Sequence, residues 1–152
     1  MIKIRIITII SFVFLSLVIS SCKKDVNQPE IDQAIIEDYV AENNLDGQFT
    51  SSGLYYVINE PGSADHPTVN SRVTVSYVGY TLDGVVFDEN DYITFELNQV
   101  IEGWQEGLQL IGEDGKIKLV IPSGLAYGPN GSLSIGPNEV LAFEISLYSF
   151  NN

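Results

Sequence analysis

The residues with the clearest chemical promise lie in one stretch, Asn98-Gln99-Val100-Ile101-Glu102-Gly103-Trp104-Gln105-Glu106-Gly107. It carries the single tryptophan of the chain, set between two glycines and just after two branched aliphatics. Two other segments, Phe87-Asp88 and Ala126-Tyr127-Gly128, add aromatic and polar groups. Large apolar side chains are usually core, and Tyr77, Phe87, Phe95, Val100, Ile101, Trp104, Tyr127, Ile135 and Phe143 would ordinarily be read so. Their companions argue for more. Asp88 directly follows Phe87, which sets a carboxylate at the rim of the apolar set. Tyr127 falls in a Gly/Pro loop, which leaves its hydroxyl free to address a ligand. The combination describes an apolar pocket with a polar rim.

Machinery for bond cleavage is missing. The one histidine, His66, sits in a loop beside Pro67 and is expected to be solvated. No serine lies in a G-x-S-x-G elbow. No Cys/His spacing suits a metal, and no Gly-rich phosphate loop follows a strand. Asp88-Glu89-Asn90-Asp91 is rich in oxygen ligands but lacks the glycine and distal Glu of an EF-hand loop. The reading therefore includes no metal and no cofactor.

The elements that must position the pocket follow from periodicity. Glu30 to Asn44 has roughly helical spacing, with Ile31, Ala34, Ile35, Ile36, Tyr39 and Val40 apolar, and Asp46-Gly47 is expected to end it. Such a helix either docks on the domain or serves as a spacer. From Gly53 onward the pattern is that of strands. Leu54, Tyr56 and Ile58 alternate, and Val73, Val75, Tyr77 and Gly79 share one face. Asp83-Gly84 is a strong hairpin signal before Val85-Val86-Phe87, and Ile93 to Leu97 reads as a separate short strand. Gly103 to Ile111 reads as a short helix with Trp104, Leu108 and Ile111 on one side. Ile117, Leu119 and Ile121 alternate until Pro122 stops the strand. Residues 123–138 form a loop rich in Gly, Pro, Asn and Ser, and Leu141, Phe143, Ile145 and Leu147 make the last strand. The predicted fold is α+β: a five- to six-stranded antiparallel half-barrel sheet wrapped around one short helix, preceded by an N-terminal helix.

The first residues read as a leader. Lys3 and Arg5 precede an apolar run from Ile6 to Ile19, and Ser20 and Ser21 precede Cys22. The run is short for a membrane span, which needs about 18 residues or more. Ile19-Ser20-Ser21-Cys22 resembles a bacterial lipobox, which implies acylation of Cys22, the only cysteine of the chain. Lys23 stands where many Gram-negative retention signals have Asp, which points to the outer membrane, with the leaflet left open. The expected division is a leader over 1–21, a tether and helix over 22–52, and a domain over 53–152. Without Lys3 and Arg5, five basic residues face 20 acidic ones, a formal charge of −15. That speaks against nucleic-acid binding and against electrostatic docking on anionic lipid.

The spacing then becomes specific. Tyr77…Asp83-Gly84…Phe87-Asp88, Val100-Ile101-x-Gly103-Trp104-x-x-Gly107, Ile121-Pro122…Ala126-Tyr127-Gly128 and Ile135-Gly136-Pro137-Asn138…Phe143 resemble the FKBP-type peptidyl-prolyl isomerase signature over roughly 53–149. The resemblance implies a pocket for a proline ring. Trp104 would be its floor, and Tyr77, Phe87, Val100, Ile101 and Phe143 its walls. The Ile101 N–H and the Tyr127 hydroxyl would donate to ligand carbonyls. Asp88 would lie at the rim, with Phe95 and Ile135 contributing from a strand and the flap loop. Two departures stand out: Ile93 where many relatives have an aromatic or proline, and Gly136 in place of the first proline of a Pro-Pro pair. They imply a wider wall and a looser flap. The implied protein is an exported, lipid-anchored, monomeric isomerase of the cell envelope acting on proline-containing polypeptides. The alternatives are a non-catalytic chaperone or binding module, or a structural component of a gliding-type envelope machine.

Overall fold

The computed structural model of the chain describes residues 27–151. The leader, Cys22 and the first part of the tether lie outside the described residues. The order of elements is α1 (Gln28–Glu42), β1 (Gln48–Phe49), β2 (Tyr55–Glu60), β3 (Arg72–Thr81), β4 (Val86–Glu96), α2 (Glu102–Leu108), β5 (Gly115–Ile121) and β6 (Leu141–Asn151). The strands form one sheet in the order β1-β2-β5-β6-β3-β4, and each neighbouring pair is antiparallel.

Alternation decides which side chains face α2. Val73 and Val75 of β3, Ile117, Leu119 and Ile121 of β5, and Leu141, Phe143, Ile145 and Leu147 of β6 join Trp104, Leu108 and Ile111 in the main core. Their even-numbered neighbours on β5 and β6 point the other way. On that second face Val120 meets Ile36 of α1, together with Tyr55 and Val140. The fold is thus the expected α+β arrangement, an open antiparallel sheet around α2, with α1 docked on its reverse side.

Beyond shifts of a few residues at the start of α1 and at the ends of α2, four differences from the sequence reading stand out. β4 is one strand rather than two short ones. Its register against β3 shifts between Val75 and Tyr77, and Tyr92 sits there with φ +59°. The Ser76 hydroxyl accepts the Tyr92 N–H at 3.0 Å, so the bulge is held by a side chain. The sheet also begins at Gln48, because Gln48-Phe49 pairs with Tyr56-Tyr55. The helix α1 ends at Glu42, before the expected Asp46-Gly47. Asn43 donates from its side chain to the Tyr39 carbonyl at 2.9 Å, and Asn44 takes up the left-handed backbone, φ +51°. Finally, the buried face of α1 is built on Asp32 and Ile36, whereas Ile31 and Ile35 are exposed.

The approach of α2 to the sheet depends on glycine. A Cβ on Gly103 would lie 2.5 Å from Cγ2 of Ile121, and one on Gly107 would lie 2.6 Å from Cδ1 of Leu119. Both isoleucine and leucine are fully buried, so neither can swing aside. Gly107→Ala sets two effects against each other. Better helix propensity contributes up to about 1 kcal/mol, while overpacking a closed core costs about 1–3 kcal/mol. The variant is expected to be destabilised, seen as a lower midpoint in urea with an unchanged slope; a midpoint at or above that of the parent would refute the close-contact argument.

Candidate active site

The inner face of the sheet is not filled completely. Beside α2 an open cavity of about 400 Å³ is lined by Tyr77, Asp88, Ile93, Phe95, Gln99, Val100, Ile101, Trp104, Tyr127 and Phe143. Trp104, on the first turn of α2, is only 4% exposed yet reaches the cavity wall. Its indole is packed by three rings: Tyr77 at 4.9 Å between centroids and 86° between planes, Phe143 at 5.3 Å and 88°, and Phe95 at 5.7 Å and 47°. The two edge-to-face contacts, with Tyr77 and Phe143, hold the indole in one orientation, and the tilted Phe95 ring closes its third side. The base of the cavity is therefore built of rings, and the buried indole Nε1–H has no hydrogen-bond partner among the described residues.

Backbone features place the walls. Gly79 of β3 leaves room for two rings, since a Cβ there would come within 2.6 Å of Phe143 and 2.9 Å of Phe87. The segment from Val100 to Ile101 is extended and leads into α2, with Ile101 at the N-cap position. The Ile101 carbonyl accepts the N–H of Trp104 at 3.0 Å, and the Val100 carbonyl accepts Nε2 of Gln105 at 2.7 Å. The backbone at the mouth is therefore pinned from within α2. The Ile101 N–H donates to no acceptor among the described residues.

The rim is polar. Tyr77 Oη donates to Asp88 Oδ2 at 2.7 Å. Burial first, and then the Asp88 hydrogen bond and charge, raise the Tyr77 hydroxyl well above the ordinary tyrosine range. Tyr127 is 38% exposed, and its hydroxyl has no hydrogen-bond partner among the described residues. Burial, followed by the Asp88 charge, raises its pKa too. Both phenols thus stay protonated at any physiological pH. One is committed to Asp88, and the other remains a free donor at the mouth.

Of the residues singled out from sequence, Tyr77, Asp88, Phe95, Val100, Ile101, Trp104, Tyr127 and Phe143 line this cavity. Phe87 and Ile135 do not. Phe87 packs edge-on against Phe143 at 5.5 Å and 87°, so it supports a wall instead of forming one. Ile135 is turned into the core, with its backbone bridged to Ser132. Ile93 lines the cavity at the departure noted above. Gly136 is not left loose, because its N–H donates to Oε2 of Glu139. Gln99, which lines the cavity, and Gln105, which holds the Val100 carbonyl, lie in the Trp104 stretch but carry no role in the sequence analysis. The only cue to them was their adjacency to Val100-Ile101 and Trp104. His66 is exposed, its Nδ1 3.0 Å from the Gln109 carbonyl oxygen, and it takes no part in the lining.

Residues 63–148 match the family model of the FKBP-type peptidyl-prolyl cis-trans isomerases. A probable FKBP-type peptidyl-prolyl cis-trans isomerase FkpA of Neisseria meningitidis serogroup B is 41% identical over 123 residues, covering 78% of this chain and 44% of that protein. The outer membrane protein MIP of Legionella longbeachae is 43% identical over 103 residues, covering 64% of this chain and 44% of that protein. The chain thus spans less than half the length of these relatives. Among solved structures, the crystal structure of FkpA from Escherichia coli superposes with a TM-score of 0.73 at 36% identity, over 81% of this chain and 61% of that one.

The raised phenols have a consequence for stability. Burial also pushes Tyr80 up to about 12, against the opposing effect of Lys118. In the unfolded chain a tyrosine ionises near its ordinary pKa of about 10. Below that pH both states keep their protons and the contribution of these groups is complete. Above it the unfolded state loses protons first, so stability falls as pH rises. Lys116, raised by its hydrogen bond to Glu60, adds in the same direction. The urea midpoint is expected to drop as pH is raised beyond about 10, with a shallower drop in Tyr77→Phe; equal slopes in variant and parent would contradict the assignment.

Proposed function

Because the chain belongs to the FKBP-type peptidyl-prolyl cis-trans isomerase family, we propose that it twists X-Pro amides of exported proteins in the Trp104 cavity. The observation that carries this reading is the pairing of an aromatic-floored, open cavity with an unused phenol donor, Tyr127, at its mouth.

The chemistry needs no bond to break. Resonance gives the peptide C–N bond partial double-bond character and a rotation barrier of roughly 18–20 kcal/mol. Cis and trans X-Pro differ little in energy yet exchange over tens of seconds or more. A catalyst need only favour the twisted amide over the planar one. The planar form is the more charge-separated, with negative charge drawn onto oxygen. Transfer from water into a cavity of rings penalises that polarity. In the twisted form the nitrogen recovers its lone pair and the carbonyl is more ketone-like, so it loses less on transfer. Each 1.4 kcal/mol of that difference is about tenfold in rate. Trp104 and the walls hold the prolyl ring and exclude water. The Tyr127 hydroxyl and the Ile101 N–H fix flanking carbonyls while the bond between them rotates. Asp88, hydrogen-bonded to Tyr77, faces the carbonyl dipole from the rim. No cofactor enters.

The setting we propose is the cell envelope. The leader and the lipobox-like Ile19-Ser20-Ser21-Cys22 support export and acylation at Cys22. The outer-membrane designation of the Legionella relative agrees with this placement. Each buried acyl CH₂ contributes about 0.8 kcal/mol, so two or three chains would hold the protein at the membrane almost permanently.

The test is proline-limited refolding of a model protein with the full chain in detergent. Acceleration is expected. Tyr127→Phe removes one hydrogen bond, for which kcat/KM should fall by up to about tenfold. Trp104→Ala should abolish most of the acceleration and destabilise the fold by about 3–5 kcal/mol. No acceleration by a folded parent chain would end the isomerase reading. Binding of proline-containing peptides that persists in that case would favour a chaperone role.

A further inference from the structure

The mechanism leaves one buried charged side chain unexplained. Asp32, on the second turn of α1, is 1% exposed, and it is the only Asp, Glu, Lys or Arg buried to that degree among the described residues. It makes no ion pair there. Its carboxyl group instead accepts three hydrogen bonds. Oδ2 accepts both the backbone N–H of Ser123 at 2.8 Å and the Ser123 hydroxyl at 2.6 Å. Oδ1 accepts Nε2 of Gln28 at 2.7 Å. Burying such a group is costly unless it is fully hydrogen-bonded, and ordinary docking of α1 on Val120 and Tyr55 would be served by an apolar residue at this position.

What Ser123 does next gives the contact a purpose. Ser123 is itself 1% exposed and opens the tight turn that follows Pro122. Its carbonyl accepts the Ala126 N–H at 3.0 Å, and the Pro122 carbonyl accepts the Leu125 N–H at 2.9 Å. The residue after Ala126 is Tyr127, the free donor at the cavity mouth. Hydrogen bonds therefore tie Asp32 of α1 to Ser123 and Ser123 to Ala126, the residue whose peptide bond carries Tyr127. The remainder of the loop is pinned elsewhere, by the Asn138 N–H to the Gly128 carbonyl at 2.9 Å and by Glu139 to Gly136. Leu125 and Ala126 pack the turn on the main core, and among the described residues Asp32 is the only side chain outside the turn that hydrogen-bonds to it.

We propose that Asp32 is a positioning residue: α1, although it lies on the reverse face of the sheet, sets the place of the Tyr127 hydroxyl through the Ser123 turn. The proposal rests on the isomerase reading for its kinetic consequence, but not for its structural one. Geometry rather than charge is what matters at this position. In Asp32→Asn the side-chain oxygen still meets both Ser123 donors, and Gln28 can rotate its amide to accept from the new NH₂. That variant should behave like the parent.

The experiment is a double-mutant cycle on the full chain. Asp32→Ala should lower kcat/KM by roughly tenfold, the scale of a small displacement at a site that works by orientation. In a Tyr127→Phe background, where there is no hydroxyl left to misplace, the same change should cost little. Ser123→Ala, which removes only the hydroxyl half of the contact, should give a smaller loss with the same dependence on Tyr127, and it serves if Asp32→Ala does not fold. Backbone amide exchange at residues 123–128 should quicken in Asp32→Ala and be restored in Asp32→Asn. An equal loss in both backgrounds, or a folded Asp32→Ala with unchanged kcat/KM, would overturn the positioning role. If the parent chain itself shows no isomerisation, the isomerase reading fails separately, and unchanged exchange at 123–128 would then sink this inference alone.

Discussion

The site depends on how close a short helix can lie to a sheet. With Gly103 and Gly107 facing Ile121 and Leu119, α2 approaches β5 at a distance no side-chain-bearing residue would permit. That approach does two things at once. It closes the core around Leu108 and Ile111, and it presses the Trp104 indole sideways against Tyr77, Phe95 and Phe143. Moving the helix outward by even part of a methyl group would loosen all three ring contacts together, because close-packed rings around one indole share one another's space. Stability and the shape of the cavity are therefore coupled through the same pair of glycines, and Gly79 repeats the device on β3 by admitting Phe143 and Phe87.

The distribution of hydrogen-bonding groups around the cavity follows from what such a floor can and cannot do. Rings desolvate a ligand but do not orient it, so orientation falls to a few donors at the mouth. Tyr77 and Tyr127 are both phenols near Asp88, yet only Tyr77 donates to it. The division leaves Tyr127 unspent. Had both hydroxyls bonded to the carboxylate, neither phenol would be left to donate at the mouth. The Gln105 contact to the Val100 carbonyl works to the same end, occupying an acceptor of the backbone while the adjacent Ile101 N–H is kept open.

Much of this was legible in the sequence, and the exceptions share a cause. Alternation in β3, β5 and β6 depends on one buried face, and it marked Val73, Val75, Leu119, Phe143 and Leu147 correctly as inward. The Asp83-Gly84 turn was legible because φ +88° at Gly84 is a local requirement. β4 was misread as two pieces because a bulge at Tyr92 changes the phase of alternation, and the Ser76 hydroxyl that stabilises it belongs to another strand. The same holds for the site. Trp104 and its flanking glycines announce themselves by type and spacing. Phe87 and Phe143 are both read as walls, yet only Phe143 lines the cavity, since which of two neighbouring rings faces it is decided across strands. Gln99 and Gln105 look like ordinary surface residues of a helix entry.

Asp32 is the extreme case of that non-locality. In sequence it is one more acid in an acidic helix, and the apolar spacing of Ile31 and Ile35 drew the buried face elsewhere. Its partner lies 91 residues away. An apolar contact such as Ile36 on Val120 is non-directional, so it sets no donor against a particular acceptor. A buried carboxyl does. Shifted by one residue along the helix, Asp32 would lose its donors and leave the Ser123 N–H unpaired, at a cost of about 1–3 kcal/mol or more for each orphaned group. The polar contact therefore fixes the register of α1 where the apolar one only supplies adhesion, and it does so at the residue from which the Tyr127 turn begins.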